Sequence, residues 1–142
     1  MKRRLVLAGA ASLLAAPALA QGHAGHDHGN ADGKNAALVA SALACVRTGI
    51  ACLDHCYEAI AMGDTSLAAC ARSTSEMMAV TDALARLAGT GSTNLPAMAK
   101  VALTVCLDCE KECRKHAGKH ATCKACADAC AACAAECRKI AA

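Results

Sequence analysis

The chain has 142 residues, 15 Lys and Arg against 12 Asp and Glu, a single Tyr and neither Phe nor Trp. Three of the basic residues, Lys2, Arg3 and Arg4, sit at the extreme amino end, so the rest of the chain is close to neutral. This excludes a basic field for nucleic acid or anionic membrane, and Tyr57 alone offers no surface for stacking bases.

The first segment reads as a secretory leader. A basic start, an apolar run from Leu5 to Leu14 and the small-residue ending Ala-Pro-Ala-Leu-Ala predict cleavage after Ala20. The run is too short and wrongly flanked for a membrane span, and no membrane insertion of the mature chain is expected. Arg3-Arg4 permits a twin-arginine signal, although paired basic residues also occur in ordinary leaders. Export to a bacterial periplasm is the expectation.

Residues 21–35 are polar, glycine-rich and aperiodic, which predicts a disordered tail. Cleavage after Ala20 would leave Gln21-Gly22-His23 at a new terminus. A free amine, two amides and the His23 imidazole form a square-planar nitrogen site for Cu(II), with His26 and His28 as added ligands. A terminal Gln that cyclises blocks the amine, and a histidine-rich tail also reads as a plain linker.

Four helices follow. The first is predicted over 36–62 and stops at Gly63, with an inward stripe of Leu38, Ser41, Cys45, Gly49, Cys52 and Cys56. Asp64, Thr65 or Ser66 caps the second, which runs to about Ala88 with Cys70, Thr74, Met77, Thr81 and Leu84 inward. Residues 89–93 form a loop, Pro96 suits the first turn of the third helix, and that helix continues to about His116. Ala117-Gly118 breaks the chain before a fourth helix over 119–140. About 120 residues in four helices with short loops predict one all-α domain, an antiparallel up-down-up-down bundle over 36–142. Its core is restricted to Ala, Leu, Val, Met and Cys.

The last two helices hold most of the chemistry. Cys106, Cys109 and Cys113, then Cys123, Cys126, Cys130, Cys133 and Cys137, alternate steps of three and four. That spacing puts side chains on one helix face and matches a bundle core. Stacked against one another, the helices would place Cys113 and Cys123 beside Cys56 and Cys70, Cys109 near Cys126, Cys106 near Cys130, and Cys137 near Cys45. The twelve thiols would line a tube.

Disulfides are one reading of that tube. Thiols on one regular helix have Cβ atoms about 5–6 Å apart, whereas a disulfide needs about 3.8 Å; bonds between helices remain possible, yet a ladder exceeds any structural need. Zinc prefers knuckles on turns, and four thiolates per ion would bury negative charge. The iron–sulfur run ending in Cys-Pro is missing. Cu(I) fits better: soft thiolates select it, two or three suffice, and one thiolate per ion keeps the interior near neutral. Pairs Cys52/Cys56, Cys109/Cys113, Cys126/Cys130 and Cys133/Cys137 each suit one ion, and the total points to bulk holding on the order of one Cu(I) per Cys. No grouping of nucleophile and base suggests an enzyme, and a thiol-redox protein would expose a few thiols rather than bury many.

The signal-led chain, the four helices and the repeated Cys-x-x-x-Cys pairs resemble the bacterial copper storage proteins over about residues 36–142. The resemblance implies a cysteine-lined four-helix bundle storing many Cu(I) ions, association into tetramers, and export of some members. It assigns the core-ligand role to Cys45, Cys52, Cys56, Cys70, Cys106, Cys109, Cys113, Cys123, Cys126, Cys130, Cys133 and Cys137. Helix 2 departs from a heavily loaded pattern by supplying Cys70 alone. At the bundle end formed by the two short loops, His55, Met62, His116 and His120 gather as a mouth for copper; they also suit ordinary polar helix ends. Met77, Met78 and Met98 read as core filling or lining of the opposite end.

Overall fold

The computed structural model describes residues 33–141, in which four α-helices follow one another: α1 Ala36–Ala61, α2 Ala68–Gly89, α3 Leu95–Arg114 and α4 Ala121–Ile140. Each helix packs against two neighbours, α1 on α2 and α4, and α3 on α2 and α4, which is the ring of an up-down-up-down bundle. No strand occurs among the described residues.

The loops follow from local chemistry. Gly63 closes the first turn at φ +94°, a left-handed conformation that favours glycine. Asp64 then accepts a hydrogen bond from the Ser66 amide at 3.0 Å and caps a short 3-10 turn, Thr65–Leu67, so α2 begins later than the capping residues suggested. Gly91, at φ +63°, turns the chain between α2 and α3, and Pro96 lies in the first turn of α3. The third loop is longer than expected. α3 ends at Arg114 and His120 becomes the extended N-cap of α4, so His116 lies in the turn and not on a helix.

The core is a column of sulfur. All twelve cysteines have no solvent exposure, beside Ala42, Ala99, Ala102, Ala127 and Ala134, which are equally buried. Leu67, Met77 and Leu84 supply the bulk. Small core residues let the helices approach closely. On the expected stripe of α1, Ala42 is buried and Ser41 only half-buried, bonding instead to the Leu38 carbonyl at 3.0 Å.

Candidate metal centre

The helices bring thiols from different parts of the chain to common levels. Cys52, Cys56, Cys70 and Cys123 form one group, Cys52, Cys113 and Cys126 a second, Cys109, Cys126 and Cys130 a third, and Cys45, Cys106 and Cys133 a fourth; within each, all sulfurs lie within 4.8 Å of one another. Every group draws on at least two helices, so the sites exist only in the folded bundle. Cys137 alone falls outside them.

Cys70 Sγ lies 3.3 Å from Cys113 Sγ. Cys52 Sγ lies 3.8 Å from Cys123 Sγ and 3.9 Å from Cys70 Sγ, and Cys109 Sγ lies 3.9 Å from Cys113 and 4.0 Å from Cys126. None of the twelve is bonded to another. These are contact distances between packed thiols, so sulfurs from different helices stand close enough to share one soft ion.

One expected level is different. Cys45 meets Cys106 and Cys133, not Cys137. The stagger of α4 against α1 is set by the turn before His120, which no periodicity specifies.

Burial and mutual hydrogen bonding divide the thiols. Cys52 and Cys109 are held below the ordinary thiol range, each chiefly by the hydrogen bond from Cys113, and Cys133 by that from Cys106. Their donors shift in the opposite sense: Cys113 is pushed up by its bond to Cys109, and Cys106, against the opposing bond with Cys130, is raised by its bonds to Cys133 and Cys45. Cys130 is itself pushed up by its bond to Cys106. Burial raises Cys56, and pushes Cys123 up to about 12. The groups therefore titrate as units. Without metal the core is mostly neutral thiol, and each ion taken up displaces protons.

Thr74 is a member of the core that residue type alone does not single out. Its buried Oγ1 donates to Cys52 Sγ at 3.9 Å and lies 3.7 Å from Cys109, 3.8 Å from Cys113 and 4.0 Å from Cys70. The signal was its place on the same stripe as Cys70. Further along α2, Thr81 donates to the Met77 carbonyl at 2.8 Å, and Met77 is fully buried core filling.

At the end of the bundle near the first and third loops, His55 Nε2 and His120 Nδ1 share a hydrogen bond of 2.8 Å, with the His116 ring 6.4 Å from that of His120. The field of His120 and His116 adds to the hydrogen bonds from Ser66 that hold the Asp64 carboxyl below its usual range. The three imidazoles thus gather one residue away from Cys56 on α1 and three from Cys123 on α4. Met62, at the C-cap of α1, is 82% exposed. His23, His26 and His28 lie outside the described residues.

The family model for copper storage proteins matches residues 31–142. The chain belongs to the copper storage protein family. No curated protein sequence matches it. Among solved structures, apo copper storage protein 3 from Bacillus subtilis is 28% identical with a TM-score of 0.67, covering 76% of this chain and 99% of that one. A Cu(I)-bound copper storage protein, BsCsp3, is 27% identical with a TM-score of 0.68, covering 76% and 98%. A cytosolic copper storage protein from Streptomyces lividans, described with five coppers, is 29% identical with a TM-score of 0.68, covering 75% and 90%.

These likenesses correct the expectation of export to a periplasm. A similar member of the family, from Streptomyces lividans, is described as cytosolic. The leader-like pattern of residues 1–20 lies outside the described residues, and composition alone does not make it a cleaved signal. The square-planar tail site at Gln21 depended on that cleavage.

Proposed function

We propose that the chain holds many Cu(I) ions as cargo, each clasped by two or three core thiolates, on the order of one ion per cysteine. The observation that carries this reading is the set of four buried sulfur groups, each compact enough for shared coordination. The Cu(I)-bound relative supports it. Storage, rather than catalysis, is the role: the sulfurs are buried and closed off from any organic substrate. Anaerobic titration with Cu(I) against a competing chelator tests capacity and affinity together. Roughly ten or more ions per chain are expected; saturation at one or two, or displacement of copper by zinc, would overturn the reading.

Copper reaches the thiols through the end where His55, His116 and His120 meet. Imidazole nitrogens bind copper in passing and hand it to the softer sulfurs of Cys56 and Cys123. Replacing His55 and His120 by Ala is expected to slow loading in stopped-flow traces while leaving the final copper content unchanged. Equal loss of rate and capacity would show instead that the histidines hold the fold. The bundles work as an assembly of identical copies, the tetramer that the resemblance implies.

A further inference from the structure

Away from water, a serine or threonine inside a helix commonly turns its hydroxyl back onto the carbonyl three or four residues earlier. Ser41, Thr48, Ser73, Thr81 and Thr104 all do so here. Thr74 does not. Its fully buried hydroxyl makes hydrogen-bond contacts only with sulfur among the described residues: Cys109 at 3.7 Å, Cys113 at 3.8 Å, Cys52 at 3.9 Å and Cys70 at 4.0 Å. These four thiols come from α1, α2 and α3, so the oxygen sits in a cage that only the folded bundle builds. Cys52 belongs both to the group with Cys56 and Cys123, beside the histidine end, and to the group with Cys113 and Cys126, one level further in. Thr74 stands where those two groups join.

Oxygen is a poor ligand for Cu(I), which soft sulfur selects. An O–H is nevertheless a donor, and its bond to a sulfur strengthens when that sulfur becomes charged. In the empty column the thiols donate to one another, and every ion that binds removes protons from that network. The Thr74 hydroxyl keeps its proton throughout. No sulfur holds the oxygen more closely than 3.7 Å, so rotation of the O–H aims it at whichever neighbour has become thiolate. The other buried hydroxyl, Thr81, is already committed to the Met77 carbonyl at 2.8 Å. We infer that Thr74 is a positioning residue for the cargo: its hydroxyl donates to the thiolates of Cys52, Cys109 and Cys113 and makes their level the first seat that Cu(I) fills. Ions delivered to Cys56 and Cys123 then pass inward, and the entrance is left free for the next. The inference rests on the storage reading and adds to it the order in which the column fills.

Two substitutions separate the donor from the space it fills. Thr74→Val keeps the branched shape and removes the donor, whereas Thr74→Ser keeps the donor. The reduced full chain is given one Cu(I) per chain without oxygen and challenged with a chelator. Thr74→Val should hold that first ion about tenfold more weakly, and Thr74→Ser should restore the affinity. The sulfur-to-copper charge-transfer absorption should move to longer wavelength in Thr74→Val, because a thiolate without its donor gives up an electron more readily, and should return in Thr74→Ser. Thr81→Val, which loses a bond to backbone, should leave both readouts unchanged. All variants should keep their helical circular dichroism and their copper content at saturation. Failure of storage itself would show as a low capacity of the unaltered chain, read apart from the first ion. A Thr74→Val variant that holds the first ion as tightly as the parent, with an unmoved band, would overturn the inference. So would a loss shared equally by every ion, or a Thr74→Ser variant that does not recover, either of which would make Thr74 a space-filler.

Discussion

At Gly49 the two longest helices come so close that a Cβ would sit 2.5 Å from Met78 Cγ, 2.9 Å from Met78 Sδ and 3.2 Å from Met77 Cε. Its backbone is ordinary helix, so the requirement is space and not conformation. Gly49→Ala is expected to lower the stability of the apo bundle by about 1–3 kcal/mol, the cost of overpacking, read from urea unfolding under reductant. The thiols give a second expectation at this scale. Cys56, Cys113, Cys123, Cys126, Cys130 and Cys137 are all held above the ordinary thiol value of 9.0. As pH rises past 9.0 toward the value of about 12 at Cys123, the unfolded chain has released protons that the folded core keeps, and stability falls. The lowered thiols Cys52, Cys109 and Cys133 add stability as pH climbs toward 9.0 and nothing further above it, so they do not offset the loss. Thermal unfolding of the apo protein should show Tm falling from about pH 9 to about pH 11.

Among the helices, what periodicity could reveal and what it could not separate cleanly. The inward faces of α2 and α4 were legible because steps of three and four constrain rotation about a helix axis: Cys70, Thr74, Met77, Thr81 and Leu84 are all buried, as are the five cysteines of α4. Translation along that axis is not encoded in a period. It depends on the 3-10 turn Thr65–Leu67 and on the bends between Arg114 and Ala121, and for that reason the partner of Cys45 came out as Cys133 rather than Cys137. Thr74 escaped notice as a site member because a hydroxyl on a core stripe looks like filler until its four sulfur neighbours are placed around it. The compartment was misread for a different reason: a basic start, an apolar run and a small-residue ending read as a leader, whereas a similar family member is described as cytosolic.

For the molecule as a whole, cargo and fold share the same atoms. Ions that bind sulfurs contributed by several helices bind the folded state and not the unfolded chain, so loading must stabilise. Each site filled at about a thousand times its dissociation constant adds about 4 kcal/mol at most, less whatever the unfolded thiols also bind. Tm should therefore climb stepwise with added Cu(I) and return to the apo value when a strong chelator strips it, followed by circular dichroism. A flat Tm across the titration would mean that copper sits at the surface. Lowering pH should weaken loading, since protons compete for every raised thiol. The surface ion pairs, exposed as they are, contribute little to this balance.

The inner row of α1, Cys45, Gly49, Cys52 and Cys56, has an apolar row one residue on, Val46, Ile50, Leu53, Tyr57 and Ile60, and the two leave that helix without slack. Each residue turns it by roughly a quarter of a circle, so removing one amino acid ahead of Cys45 or after Cys56 would be absorbed at an end, whereas removing one between them would bring the apolar row that includes Tyr57 and Ile60 onto the inner positions beyond the cut. Oily side chains would then fill the sulfur column, and Cys56 would turn out of it to the flank that His55 occupies. Evolution can lengthen or trim the loops of such a bundle freely, but this helix can only be edited by substitution.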